Sequence, residues 1–169
     1  MNKNKNSEVT VGFLSIARVG SSSHIGGYLL LNSLGRPTEF HCTEAVKPTR
    51  AQQILYGTTL DAYLYSDLLG KSLLEAAKSN PALIFVDSNA ALDLINIVDA
   101  TVLLVVTDAD QEHGLQEMTL GQNRIGLPIS KDEQLASIPE DMQTQISDWD
   151  LSEPFQRIHD AIQETQKAA

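Results

Sequence analysis

The chain has 169 residues, 42% of them hydrophobic and 20% charged, which is typical of a globular protein and too apolar for a disordered one. Its 12 basic and 22 acidic residues give a net charge of -10, which disfavours nucleic acid as a partner because DNA-binding proteins present positive surfaces. A single cysteine excludes an internal disulfide and a multi-cysteine zinc site, and no apolar run approaches the ~18–20 residues of a membrane span.

Three strands are predicted in the first quarter of the chain, at residues 9–17, 25–32 and 38–46. The second is a nearly continuous apolar run, which indicates a strand covered on both faces. Short links rich in Gly, Ser and Pro join the three segments. Such links favour an antiparallel meander.

A helical stretch and two further strands follow the meander. Thr49 is a suitable N-cap, and a second, heavily apolar helical piece is predicted from Leu60 to about Lys78. Residues 82–86 and 101–106 are short apolar runs bounded by turn residues, the pattern of buried parallel strands. Ser88 is placed to cap a short helix between them. The predicted class is therefore α/β, with a mixed sheet, helices on its faces and a C-terminal helix.

The character of the chain changes after residue 107. Residues 108–169 carry -9 of the net charge of -10, and only one short strand is predicted there, near residues 124–129. A helix is expected to start at Pro139, and a final one to run from about 150 to 166 with Ser152 as its cap. We expect a disordered N-terminus over residues 1–8 and a single α/β domain over 9–169 with an acidic section at 108–169. Because the sequence shows neither a membrane span nor a secretory signal, a cytoplasmic location is expected.

The order strand-strand-strand-helix-strand-helix-strand-helix resembles the ribonuclease H-like fold, which also underlies resolvases, endonuclease V and the Piwi domain. The resemblance covers roughly residues 9–107 and rests on element order, not on a motif. It implies a catalytic Asp near the middle of the first strand and a second acid at the end of the fourth. Residues 9–17 contain no carboxylate, whereas Asp87 matches the second position.

Acidic side chains follow the two predicted parallel strands at their carboxyl ends. Asp87 follows the first, and Asp108, Asp110 and His113 follow the second. Open α/β sheets bind ligands at this edge, and clustered carboxylates suit Mg²⁺ or Mn²⁺. These four residues are the candidate metal or ligand cluster. The alternative is an ordinary strand-to-helix turn and an exposed loop, and no cofactor is then expected.

A second candidate site is the loop between the first two strands. Its backbone amides and hydroxyls are of the kind that hold an anion, and it has a nearby cation. The candidate anion loop consists of Arg18, Ser21, Ser22, Ser23 and His24. The alternative is a flexible hairpin loop, since the lysine of a P-loop and a following helix are both missing.

The acidic section has an apolar side on its last helix. Trp149, Phe155, Ile158 and Ile162 are the predicted docking residues, and the helix needs a neighbour because an isolated helix of this length is marginal in water. The neighbour is either the chain's own sheet or a protein partner. The leading hypothesis is a non-catalytic interaction or accessory module of a larger assembly, with a protein partner and with self-association left open. The alternative is a divalent-metal-dependent hydrolase or nuclease that uses carboxylates at the strand ends.

Overall fold

The architecture is a seven-stranded mixed sheet, which the computed structural model describes over residues 9–107, 114–131 and 138–168. The strands are β1 (Val11–Val19), β2 (Ser23–Leu31), β3 (Pro37–Cys42), β4 (Leu83–Val86), β5 (Thr101–Val106), β6 (Leu115–Leu120) and β7 (Asn123–Pro128). Their order across the sheet is β3-β2-β1-β4-β5-β7-β6. The β1–β4 and β4–β5 pairs are parallel, and all other pairs are antiparallel. The predicted fold class is confirmed.

Helices cover both faces of this sheet. The first, α1 (Arg50–Tyr56), starts at Thr49, whose side chain caps it as predicted. A longer helical segment over residues 60–76, called α2, contains a π-helical stretch at Tyr63–Gly70. A 3₁₀ helix (Asn89–Asn96) capped by Ser88 follows β4. The last two helices are α3 (Glu140–Ser147) and α4 (Glu153–Lys167).

Two apolar cores result, one on each face. The alternation of side chains along β1 sends Phe13 into one core and Leu14 into the other. Helices α3 and α4 cover the Phe13 side, while α2 and the 3₁₀ helix cover the Leu14 side. The central strands are therefore buried on both faces, which explains their nearly continuous apolar sequences.

Three local expectations are corrected. The third strand ends at Cys42 rather than at residue 46, because beyond it only Val46 bridges back to His24. Strand β6 was not predicted, since half of its residues are exposed and they form no apolar run. Ser152 does not cap α4: its own backbone is helical, and its hydroxyl donates to Asp150 instead.

Several predictions lie outside the described part of the chain. They are the disordered N-terminus at residues 1–8 and the site residues Asp108, Asp110 and His113. Among the described residues, no helix combines the length and the apolar character needed to cross a membrane.

Candidate functional site

Three polar side chains meet between α4 and the sheet, at the carboxyl end of β4. They are Ser15, Asp87 and His159, and we call them the Ser15 cluster. The Ser15 hydroxyl donates to Asp87 Oδ2 at 2.7 Å, and Ser15 Oγ lies 2.9 Å from His159 Nε2. His159 Nε2 and Asp87 Oδ2 are 3.8 Å apart. The cluster joins residues separated by 72 and 144 positions in the chain.

Strand register brings Ser15 and Asp87 together. Ser15 is the fifth of the nine residues of β1 and shares the α4 side of the sheet with Phe13. Strand β4 runs parallel to β1 with Leu14 opposite Val86, so the next position on each strand is Ser15 and Asp87. Asp87 is the residue that the resemblance matched to the acid at the end of the fourth strand, and Ser15 occupies the middle of the first.

Close packing of α4 on the sheet brings His159, the third residue of the cluster, to Ser15. Gly27 lies opposite Ser15 on β2, and a Cβ built on it would collide with Ile158 Cγ2. The missing side chain lets α4 approach the sheet at this point. Phe155 anchors the preceding helical turn, edge-on to Phe13 with the ring centres 5.6 Å apart. His159 follows Ile158 directly and so reaches Ser15.

The hydrogen bonds determine which atoms of the cluster carry protons. Ser15 has one hydroxyl proton, and it is directed at Asp87. The Ser15 oxygen therefore accepts from His159, which places a proton on Nε2. Interaction with Asp87 raises the pKa of His159 above its ordinary value, against the opposing effect of burial. A proton is thus held on an imidazole beside a carboxylate.

Solvent reaches two of the three side chains. Ser15 is 1% exposed, whereas the side chains of His159 and Asp87 are 37% and 30% exposed. A buried hydroxyl cannot act as a nucleophile on a substrate from solution. Ser15 therefore links the other two residues, which are the pair that a substrate can contact.

The two-ion metal site that the resemblance implies does not fit the described residues. Such a site needs carboxylates on both sides of the ions, and the middle of β1 offers a hydroxyl instead. Within residues 9–107, 114–131 and 138–168, no three of His, Cys, Asp and Glu lie together as a metal-binding group. Asp87 is the one member of the predicted metal cluster that the structure describes.

The candidate anion loop is a tight turn between β1 and β2. Gly20 adopts a positive φ of 62°, as such turns require. Arg18 lies 3.9 Å from Asp61, so its charge already faces a carboxylate. His24 is buried edge-on to Tyr65, and burial together with the positive Arg18 lowers its pKa. Ser21 and Ser22 lie in the turn and Ser23 begins β2, and anion binding by this loop stays a prediction.

The predicted docking residues pack within the chain itself. Phe155, Ile158 and Ile162 are buried in the core between α4 and the sheet, and Trp149 is partly buried against the same core. The neighbour that α4 needs is therefore its own sheet. This apolar side is not free to receive a protein partner.

Sequence reasoning missed Ser15 and His159. The available signals were a lone polar residue in an apolar strand and a histidine spaced four residues from Phe155, on the buried side of an amphipathic helix. Neither signal identifies its partner without the strand register and the docking of α4.

No known protein family matches the chain, and neither does any curated protein. Solved structures of endonuclease V match it. The human enzyme is 16% identical, with 66% of this chain and 50% of that chain covered and a TM-score of 0.39. The Ciona intestinalis enzyme, in complex with a 24mer DNA containing an inosine followed by a ribo-adenosine, is 15% identical, with 79% and 58% covered and a TM-score of 0.42. The chain spans about half the length of these structures.

Two predictions are corrected by these matches. The similar structures are nucleases, which contradicts the prediction of a non-catalytic accessory module. The Ciona intestinalis structure contains DNA, which contradicts the prediction that nucleic acid is a poor partner.

Proposed function

We propose that the protein is a hydrolase of the nuclease type with a ribonuclease H-like fold, acting at the Ser15 cluster. The observation that carries this proposal is the pairing of a proton-bearing His159 with the carboxylate of Asp87 at the carboxyl end of the parallel strands. Ligands of open α/β sheets bind at this edge. The element order from β1 to β5 and the matched nucleases support the same class.

The chemistry proposed for the pair is general acid–base catalysis. His159 gives its proton to the oxygen that leaves the scissile bond, and Asp87 accepts the proton of the attacking water. Ser15 contacts both and holds them in position, so it is a positioning residue. The cationic form of His159 also attracts a phosphodiester group, which carries a negative charge.

The test is cleavage of fluorescently labelled single- and double-stranded DNA and RNA by the purified protein. His159→Gln and Asp87→Asn should each lower the rate by roughly 10²–10⁴-fold, the usual contribution of a general acid or base. His41→Gln is the matched control, because His41 pairs with Glu39 on β3 and lies outside the cluster. Loss of cleavage in that control as well would show that the substitutions act through folding.

Parallel reactions in EDTA, Mg²⁺ and Mn²⁺ address the cofactor. Cleavage in EDTA would assign the chemistry to the protons of His159 and Asp87 alone. Cleavage only with a divalent ion would bring Asp108 and Asp110 into the site together with Asp87. Absence of cleavage under all three conditions, or an unchanged rate in His159→Gln, would refute the proposed function.

A further inference from the structure

A buried histidine lies outside the Ser15 cluster, on the α2 side of the sheet. His24 is the second residue of β2 and is 7% exposed. Its ring packs edge-on against Tyr65 of α2, with the ring centres 5.7 Å apart. Among the described residues, neither of its ring nitrogens has a hydrogen-bond partner. The side chain is therefore held by packing, which suits a neutral imidazole better than a charged one.

His24 lies where three parts of the chain meet. Arg18 is its partner in the register between β1 and β2. On the other side, the backbone of His24 forms two hydrogen bonds of 2.8 Å with Val46, in the segment that leads from β3 into α1. Tyr65 adds the contact with α2. The imidazole therefore joins the β1–β2 hairpin to α2, close to the point at which the chain enters α1.

The helical segment above this ring has few anchors. Residues 50–65, which we call the helical strap, comprise α1 and the start of α2, and only Leu64 and Tyr65 among them are buried. Ile54 and Leu55 of α1 are 63% and 84% exposed. Segments with few buried contacts open at a lower free energy than the core of a protein. Tyr65 is thus one of two buried anchors of the strap, and it packs on His24.

A proton on His24 makes this packing unfavourable. The imidazolium carries two N–H donors and a full charge in a buried position, and the positive Arg18 lies beside it. Asp61 of the strap attracts the cation, but its side chain is 55% exposed and faces Arg18 at 3.9 Å. Burial and Arg18 outweigh Asp61 and the backbone of Val46, so the pKa of His24 lies below its ordinary value. His24 therefore binds a proton more tightly once the strap has opened and water reaches the ring.

We propose that the contact between His24 and Tyr65 is a pH-dependent switch: a neutral imidazole holds the helical strap on the β1–β2 hairpin, and a proton on His24 makes the strap open while the rest of the sheet stays folded. The switch is independent of the Ser15 cluster, because His24 lies on the α2 side of the sheet and the Ser15 cluster on the α4 side. Its outcome therefore does not decide the proposed function.

The experiment is native-state amide hydrogen exchange of the full chain, followed by NMR at pH 7 and pH 5.5. Dividing each observed rate by the intrinsic rate at the same pH gives a protection factor that reports opening. The closed strap is fully stabilised above about pH 6.5 and loses stability as the pH falls, so the amides of Ile54 and Tyr65 should lose protection roughly two- to eightfold. Their exchange should respond weakly to urea, because local opening exposes little surface, whereas Phe85 and Leu103 in the central strands should exchange only by global unfolding.

Two variants without a titratable ring assign the effect to His24. His24→Phe keeps an apolar ring and His24→Gln keeps a polar side chain, and in both the protection of the strap should no longer change between the two pH values. His41→Gln is the matched control, because His41 pairs with Glu39 on β3, and it should keep the wild-type response. The proposal is overturned if the strap keeps its protection at pH 5.5, if its amides share the urea dependence of Phe85 and Leu103, if the His24 variants still respond to pH, or if His41→Gln abolishes the response.

Discussion

Replacing Phe155 by alanine tests how α4 is held on the sheet. Phe155 is 5% exposed and contacts Phe13 edge-on within the core beneath α4. Removing a buried aromatic ring usually costs ~3–5 kcal/mol, which is a large part of the ~5–15 kcal/mol that stabilises a typical domain. For a chain of this length each kcal/mol lowers the Tm by roughly 2–4 °C, so we expect a fall of roughly 6–20 °C.

The same substitution should also affect the candidate site. Phe155 lies one helical turn before His159, so loosening this turn removes the constraint that holds the imidazole against Ser15. We expect the NMR-determined pKa of His159 to fall towards its ordinary value, because its interaction with Asp87 weakens. Thermal unfolding followed by circular dichroism gives the Tm, and a proton NMR titration gives the pKa.

Two companion variants make the result interpretable. Phe155→Leu keeps most of the apolar volume and should recover much of the lost Tm. Phe40→Ala removes a ring that is 37% exposed and should change the Tm far less. A Tm for Phe155→Ala within about 2 °C of the wild type, which is less than ~1 kcal/mol, would show that α4 does not depend on this contact.

Three further predictions concern protons and packing. Asp87→Asn should lower the pKa of His159, which an NMR titration would show. In the wild type, the stability that His159 contributes is fully present below about pH 6.5 and is lost as the pH rises through the raised pKa. The Tm of the variant should therefore fall less than that of the wild type as the pH rises. His24 has the opposite pH dependence: burial lowers its pKa, so the stability it contributes is present above about pH 6.5 and is lost as the pH falls. His24→Phe should make the Tm depend less on pH on the acid side, and an unchanged profile would contradict this. Gly27→Ala places a methyl group against Ile158 and should cost ~1–3 kcal/mol by urea unfolding, whereas a neutral result would mean that α4 shifts freely.

The main features of the fold could be predicted because its central strands carry strong local signals. Residues 82–86 and 101–106 are apolar on both faces, and only a parallel sheet covered by helices buries such strands. Strand β6 could not be predicted, because it is an exposed edge strand that depends on its pairing with β7. Local pattern fails where tertiary pairing, rather than composition, makes the strand.

The candidate site could be predicted only in part. Asp87 was identified because it ends a strand, and strand ends can be located from sequence. Ser15 and His159 depend on the parallel register of β1 with β4 and on the seating of α4 at Gly27, which are long-range properties. The sequence pattern also left open whether Phe155 and its neighbours pack on the chain's own sheet or on a protein partner. The structure shows that they pack on the chain's own sheet.

The wide spacing of the Ser15 cluster has a consequence for biosynthesis. Ser15 and Asp87 are translated early, and they stay without His159 until the ribosome has released the segment that forms α4. The cluster can therefore form only after α4 has been synthesised and has packed on the sheet, and a chain that lacks α4 holds Ser15 and Asp87 without their third member.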